Sequence, residues 1–123
     1  MCICKLAYGV ILVLSLNAEN YSRTLAAIAA VESGNNSKAI GKLGETSEYQ
    51  ILPSTWKWAK GRTARGKAEW LLNWHRKRYL KVYGKKPNIK EIYIWWNTGK
   101  LKSKNKTVLK RAERVQNIWM KFQ

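Results

Sequence analysis

The chain has no aspartate, a single histidine (His75), and two cysteines that both lie at its start, Cys2 and Cys4. Without Asp there is no Asp-based catalytic triad, and an oxygen-rich calcium site is disfavoured. With one His and two terminal Cys, a zinc site lacks ligands. No metal or other cofactor is therefore expected. Acid of any kind is scarce: seven glutamates (Glu19, Glu32, Glu45, Glu48, Glu69, Glu91 and Glu113) stand against 24 Lys and Arg, for a net charge of +17. A field of that size does not choose a fold. It favours encounter with polyanions such as nucleic acid, anionic lipid or an anionic cell wall. At 123 residues one domain with one modest core is expected, and no repeat, low-complexity block or linker divides residues 19–123.

Residues 1–18 read as a signal peptide, with Lys5 ahead of an apolar run from Leu6 to Leu16 and cleavage expected after Ala18. The run is short for a membrane-spanning helix. Cleavage would leave residues 19–123 without cysteine and without a stable membrane anchor. Secretion or a periplasmic location follows from that reading.

Helical spacing dominates the remainder, and strand signal is weak. Asn20 to Ser33 reads as a first helix, capped by Asn20 or Ser22, with Leu25, Ile28, Ala29 and Glu32 on one face. That spacing carries Glu32 to the edge of the core in the helix's last turn, and Gly34 ends the helix. A polar loop follows. Thr46 to Lys60 reads as a short extended piece and a helical turn begun by Pro53. Gly61 to Gly66 reads as a basic flexible connection. Lys67 to Tyr83 reads as a second helix with Ala68, Leu71, Leu72, His75, Tyr79 and Val82 inward. His75 on that stripe is expected to be a core residue. Asn88 caps a third helix from Ile89 to about Trp96. Thr107 to Phe122 is the last, with Val108, Ala112, Val115, Ile118, Trp119 and Phe122 inward. The expected class is all-α, or mostly α, with at most a short irregular or β-like segment near the site.

A carboxyl partly removed from water holds its proton more tightly and can act as a general acid near neutral pH. Glu32, at the end of an apolar helix, is the candidate. Its surroundings give a spaced set: Glu32-Ser33-Gly34-Asn35-Asn36-Ser37-Lys38-Ala39, then Gly44, then Gln50-Ile51-Leu52-Pro53-Ser54-Thr55, and later Trp95-Trp96-Asn97-Thr98-Gly99. This set resembles the lysozyme-like superfamily, specifically the soluble lytic transglycosylase (SLT-type) catalytic domains and the related goose-type lysozymes. The family pattern reads Glu-Ser-Gly-x-Asn-x-x-Ala, Gln-Ile-x-Pro-x-Thr and Tyr-Asn-Ala-Gly. The match runs without a gap over residues 28–56 and resumes over 88–99. The chain departs from the family at Ser47-Glu48-Tyr49-Gln50, where Gly-x-Met-Gln is usual. It departs again at the start of the last helix, where Arg111 or Ala112 stands near the place of a Tyr.

The resemblance implies a lysozyme-like α-helical domain over residues 19–123. It also implies cleavage of the β-1,4 bond between N-acetylmuramic acid and N-acetylglucosamine in peptidoglycan. Glu32 would be the acid. In a lytic transglycosylase the same group then acts as base while the sugar's 6-hydroxyl closes a 1,6-anhydro ring, and no second carboxylate is required. In a lysozyme-type hydrolase water attacks, usually with help from a second carboxylate, for which Glu45 is the candidate. Ser33 would orient Glu32 or hold the loop. Gln50 would bind an N-acetyl group or brace the site. Tyr49 could stack on sugar, and Trp96 with Asn97 would close the cleft from the other side. Glu48 is expected to turn away from Gln50 by strand alternation. The expected partners are glycan strands and, through the lysines and arginines, the anionic wall; the protein is expected to be a monomer that does not act on nucleic acid. The opposing alternative is a non-enzymatic nucleic-acid-binding protein, for which basic residues interleaved with aromatics are suited. A third reading, a membrane-active cationic protein, fits the last helix in part. The Glu-Ser-Gly to Gln-Ile spacing has no role in either.

Overall fold

The computed structural model describes residues 21–122. The expected signal peptide, its cleavage point and the Asn20 cap lie outside the described residues. The described chain is mostly helical, with no sheet. Five helices carry it: α1 over residues 21–33, α2 (Pro53–Trp58), α3 (Ala64–Tyr83), α4 (Ile89–Thr98) and α5 (Lys106–Lys121). No helix among the described residues is long and apolar enough to cross a membrane.

Local chemistry sets most boundaries. Pro53 begins α2, where a missing N–H costs nothing. Asn88 and Glu91 form a capping box at the start of α4, each side chain bonding the other's backbone N–H. Gly84 and Gly99 close α3 and α4. Three boundaries differ from the sequence reading. Ser22 lies inside α1, where it accepts a hydrogen bond from Arg65 at 2.7 Å. α3 starts three residues early, because the Thr63 hydroxyl accepts from Gly66 N–H at 3.0 Å and makes half of the supposed flexible connection its first turn. Asn105 caps α5 in the same way, through Thr107 and Val108 N–H.

The expected stripes of three helices are in the core, with Leu25 and Ile28 of α1, Leu71 and Leu72 of α3, and Ala112 and Val115 of α5 all buried, and α4, for which no stripe was read, adds the buried Tyr93. Each large apolar side chain so buried contributes about 1.5–3 kcal/mol. Val82 and Phe122, expected inward, are exposed. Val82 is in the last turn of α3, and Phe122 is the residue after α5. α4 packs against α5, and α3 against α4. Arg23 ties α1 to the end of α5: its Nε donates to Trp119 O at 2.6 Å, and its guanidinium lies 3.5 Å from the Trp119 ring centre. Tryptophans staple the other side, in a row from Trp58 of α2 through Trp74 of α3 to Trp95 of α4, with ring centres 4.8 and 5.6 Å apart. Lys67 holds the end of α2, donating to Trp56 O and Ala59 O at 2.8 Å, where a cation suits the negative end of a helix.

Between α1 and α2 the chain makes two isolated β-bridges, Ile40 with Thr46 and Thr46 with Ile51. This is the short β-like segment expected near the site. Residues 47–50, however, form a turn rather than an extended piece. Ser47 (φ 72°) and Gln50 (φ 51°) both lie in the left-handed region, and strand alternation therefore does not set the direction of Glu48.

Candidate active site

Glu32 sits in the last turn of α1, one residue before its end, partly buried beside the core. Gly34 (φ 63°) turns the chain out of the helix immediately afterwards, a conformation that a side chain would disfavour. Burial raises the Glu32 carboxyl pKa above its ordinary value, and the Glu45 charge adds to this. The C-terminal end of α1 also disfavours a negative charge. Three groups pull the other way: the Tyr93 hydroxyl, which donates to Glu32 Oε1 at 2.8 Å, the Arg111 charge, and Asn97. Tyr93 is fully buried on α4. Burial, then the charge of Glu32 and the hydrogen bond to it, hold its phenol far above the usual range. It therefore stays protonated and remains a donor.

Tyr93 and Asn97 are four apart on α4, so they share a face. Asn97 Nδ2 donates to Tyr93 Oη at 3.4 Å. Asn97 also lines a cleft of about 170 Å³ whose walls include Gln50, Thr55, Trp96 and Thr98. Glu32 is not on that wall; Asn97 is the link between the cleft and the Tyr93–Glu32 pair. A larger cavity of about 370 Å³ between Tyr21, Leu72, Ile92 and Trp119 has no carboxylate on its wall, so it offers no acid chemistry.

The loop opposite is fastened to the helix end. Ser33 Oγ donates to Glu48 O at 2.8 Å and accepts from Asn36 N–H at 3.1 Å. It therefore holds the loop rather than the Glu32 carboxyl. Gln50 braces the turn, its amide nitrogen donating to Ser47 O at 2.8 Å and Ala39 O at 3.2 Å. These bonds offset the left-handed backbone, which costs a non-glycine residue about 1–2 kcal/mol. Ser47 Oγ accepts from Tyr49 N–H at 3.2 Å and supports the other strained position. Gly41 permits this closeness: a β-carbon there would fall 2.6 Å from Glu45 Oε2 and 2.8 Å from Gln50 Oε1. Glu45 Oε1 accepts from Leu43 N–H at 2.7 Å, so its carboxylate is engaged with its own loop.

Trp96 stands on the far wall, and its Nε1 donates to Tyr49 O at 3.0 Å, pinning α4 to the loop. Tyr49 itself is a correction. It is 5% exposed and belongs to the core, so the expected face for sugar stacking is covered. His75 is fully buried and distant in role, stacked on Trp95 with ring centres 4.7 Å apart. No group of three or more His, Cys, Asp or Glu able to hold a metal occurs among the described residues.

Sequence reasoning missed Tyr93 and gave Arg111 no role in the site. The available signal was spacing, since a Tyr four residues before Asn97 shares its helix face. Tyr93→Phe removes the strongest hydrogen bond favouring ionised Glu32. The Glu32 pKa is expected to rise further in that variant, read by carboxyl-carbon NMR titration; an unchanged or lowered value would show that the bond does not act on Glu32.

No protein-family model, no curated protein and no solved structure matches this chain.

Proposed function

We propose that this chain is an exported peptidoglycan-cleaving enzyme with a lysozyme-like α-helical domain. It breaks the β-1,4 bond between N-acetylmuramic acid and N-acetylglucosamine as a lytic transglycosylase. The observation that carries this reading is Glu32: a partly buried carboxyl with a raised pKa, held by a buried phenol at 2.8 Å and joined through Asn97 to a cleft. The motif spacing of Glu32, Gln50 and Asn97 supports it.

Protonated Glu32 donates its proton to the leaving glycosidic oxygen as the bond to the anomeric carbon breaks. The resulting carboxylate then takes the proton of the sugar's own 6-hydroxyl as that oxygen closes the 1,6-anhydro ring. Between the two steps the charge is stabilised by the Tyr93 donor, with Arg111 and Asn97 near. Gln50, Trp96 and Asn97 form the walls that would contact sugar. Glu45 is near enough for its charge to act on Glu32, which keeps a hydrolase reading in view. Its bond to Leu43 N–H favours the single-carboxylate route. On this reading the protein works in the cell envelope after cleavage near Ala18, as a monomer without metal, and its basic surface holds it on the anionic wall.

Incubation with purified peptidoglycan is expected to release soluble glycan fragments and reduce turbidity. Nanomolar nucleic-acid binding with no release would overturn the proposal in favour of a binding protein.

A further inference from the structure

Ile40 and Leu43 are the most exposed large apolar side chains among the described residues, at 78% and 74%. Both belong to one tight turn. Ile40 is bridged to Thr46, Gly41 N–H donates to Glu45 O at 2.9 Å, and Gly44 N–H donates to Gly41 O at 3.1 Å. The Glu45 carboxylate folds back and accepts from Leu43 N–H at 2.7 Å. The N–H groups of Gly41, Leu43 and Gly44 are therefore satisfied without water. Lys38 and Lys42 flank the apolar pair and are exposed. Neither ammonium has a hydrogen-bond or ion-pair partner among the described residues. The one acid between Glu32 and Glu48 is Glu45, whose carboxylate is engaged inside the turn. The turn also rests against the rim of the cleft. A β-carbon at Gly44 would lie 3.3 Å from Pro53 Cγ, and the neighbouring Leu52 lines the cleft.

We propose that the 40–44 turn is a reversible docking tip for an anionic phospholipid bilayer. Docking of this kind does not depend on the proposed wall cleavage. Charge and apolarity together select the occupant. Nucleic acid and anionic wall polymers attract the lysines but offer no apolar phase, so they leave Ile40 and Leu43 in water. A bilayer supplies both, with anionic headgroups for Lys38 and Lys42 and an acyl boundary for Ile40 and Leu43. Lysine stems are long enough to keep their charge at the headgroups while the apolar pair enters. Backbone at that boundary must bring its own hydrogen bonds, because hydrocarbon supplies none. The turn meets this condition through Gly41, Leu43 and Gly44.

The test uses vesicles of mixed phosphatidylglycerol and phosphatidylcholine, with phosphatidylcholine alone as the neutral control. A chain of net charge +17 is drawn to anionic vesicles by charge alone, so the readout is placed at the tip. A Leu43→Cys variant, in a chain with Cys2→Ser and Cys4→Ser, carries an environment-sensitive fluorophore. A Lys86→Cys variant carries the same label in the turn between α3 and α4. The Leu43 label is expected to shift to the blue on anionic vesicles, while the Lys86 label keeps its aqueous spectrum and neither responds to neutral vesicles. In sedimentation, Ile40→Ser/Leu43→Ser should bind anionic vesicles about tenfold more weakly than wild type. Its melting temperature should be unchanged, because both side chains are exposed. Equal binding by wild type and the serine variant, an aqueous spectrum for the Leu43 label on bound protein, or equal shifts at both labels overturns the proposal. A Leu43 label that shifts with protein concentration and not with vesicles assigns the turn to a second copy of the chain instead. Vesicle binding involves no bond cleavage, so these outcomes leave the wall-cleaving function to its own assay.

Discussion

Glu32→Gln is expected to lower peptidoglycan cleavage by about 100- to 10,000-fold, the range that a positioned acid–base contributes. The substitution keeps the size of the side chain and its acceptor for the Tyr93 hydroxyl, so the helix end and the Ser33–Glu48 clamp should survive. Melting temperature and circular dichroism within error of wild type would confirm this. The wild-type pH profile has a definite sign. On the proposed mechanism the donor must be protonated, so activity is expected to fall on the alkaline side as Glu32 ionises. Burial raises the Glu32 pKa, which shifts that limb to higher pH than an ordinary glutamate would give. Equal clearing by both proteins would remove Glu32 from the chemistry. A Glu45→Gln variant that lost activity to the same extent would move the mechanism to a two-carboxylate hydrolase.

The second large effect is on stability. His75 is fully buried, with neither ring nitrogen hydrogen-bonded. Trp95 of α4 stacks on it at 12° and Tyr79 meets it edge-on. Burial, then the Arg78 charge, lowers its pKa to about 4. In the unfolded chain it titrates near ~6.5. Between these values the unfolded state binds the extra proton, so acid favours unfolding. The contribution is complete above ~6.5, is lost as pH falls through that window, and changes no further below about 4. At about 1.4 kcal/mol per pH unit, the window is worth about 3 kcal/mol. His75→Phe removes the titration while keeping an aromatic ring, and should match or exceed wild type at neutral pH because no unpaired polar atom remains. Urea melts of both proteins at pH 7 and pH 4.5 read the difference. Carboxylates contribute equally to both, so parallel curves would show that His75 is not the acid-sensitive group.

Much of the fold is legible because it depends on local rules. Pro53, Asn88, Gly84 and Gly99 mark boundaries by backbone chemistry alone, and the stripe Leu25, Ile28, Ala29 locates Glu32 at the core's edge. The Trp58-to-Trp95 row was readable only as bulk, since periodicity says which face is inward but not which rings meet. The same limit hid the site's main contact. Tyr93 reads as one more apolar residue on α4, and its hydroxyl reaches a carboxyl 61 residues away in sequence. Tyr49 was misread for the opposite reason. Its polar tip and motif position suggest exposure, but the left-handed turn at Ser47 and Gln50 folds its ring into the core. Thr63 shows how one hydroxyl can convert a Gly- and Arg-rich stretch into a helix start.

The central claim is that a single carboxyl, Glu32, serves as both acid and base on a glycan strand. Mass analysis of the fragments released from purified peptidoglycan tests it most directly. Muropeptides ending in 1,6-anhydro-N-acetylmuramic acid are expected. Reducing ends, heavier by one water, would contradict the single-carboxyl route, and the absence of any soluble fragment would contradict the function itself.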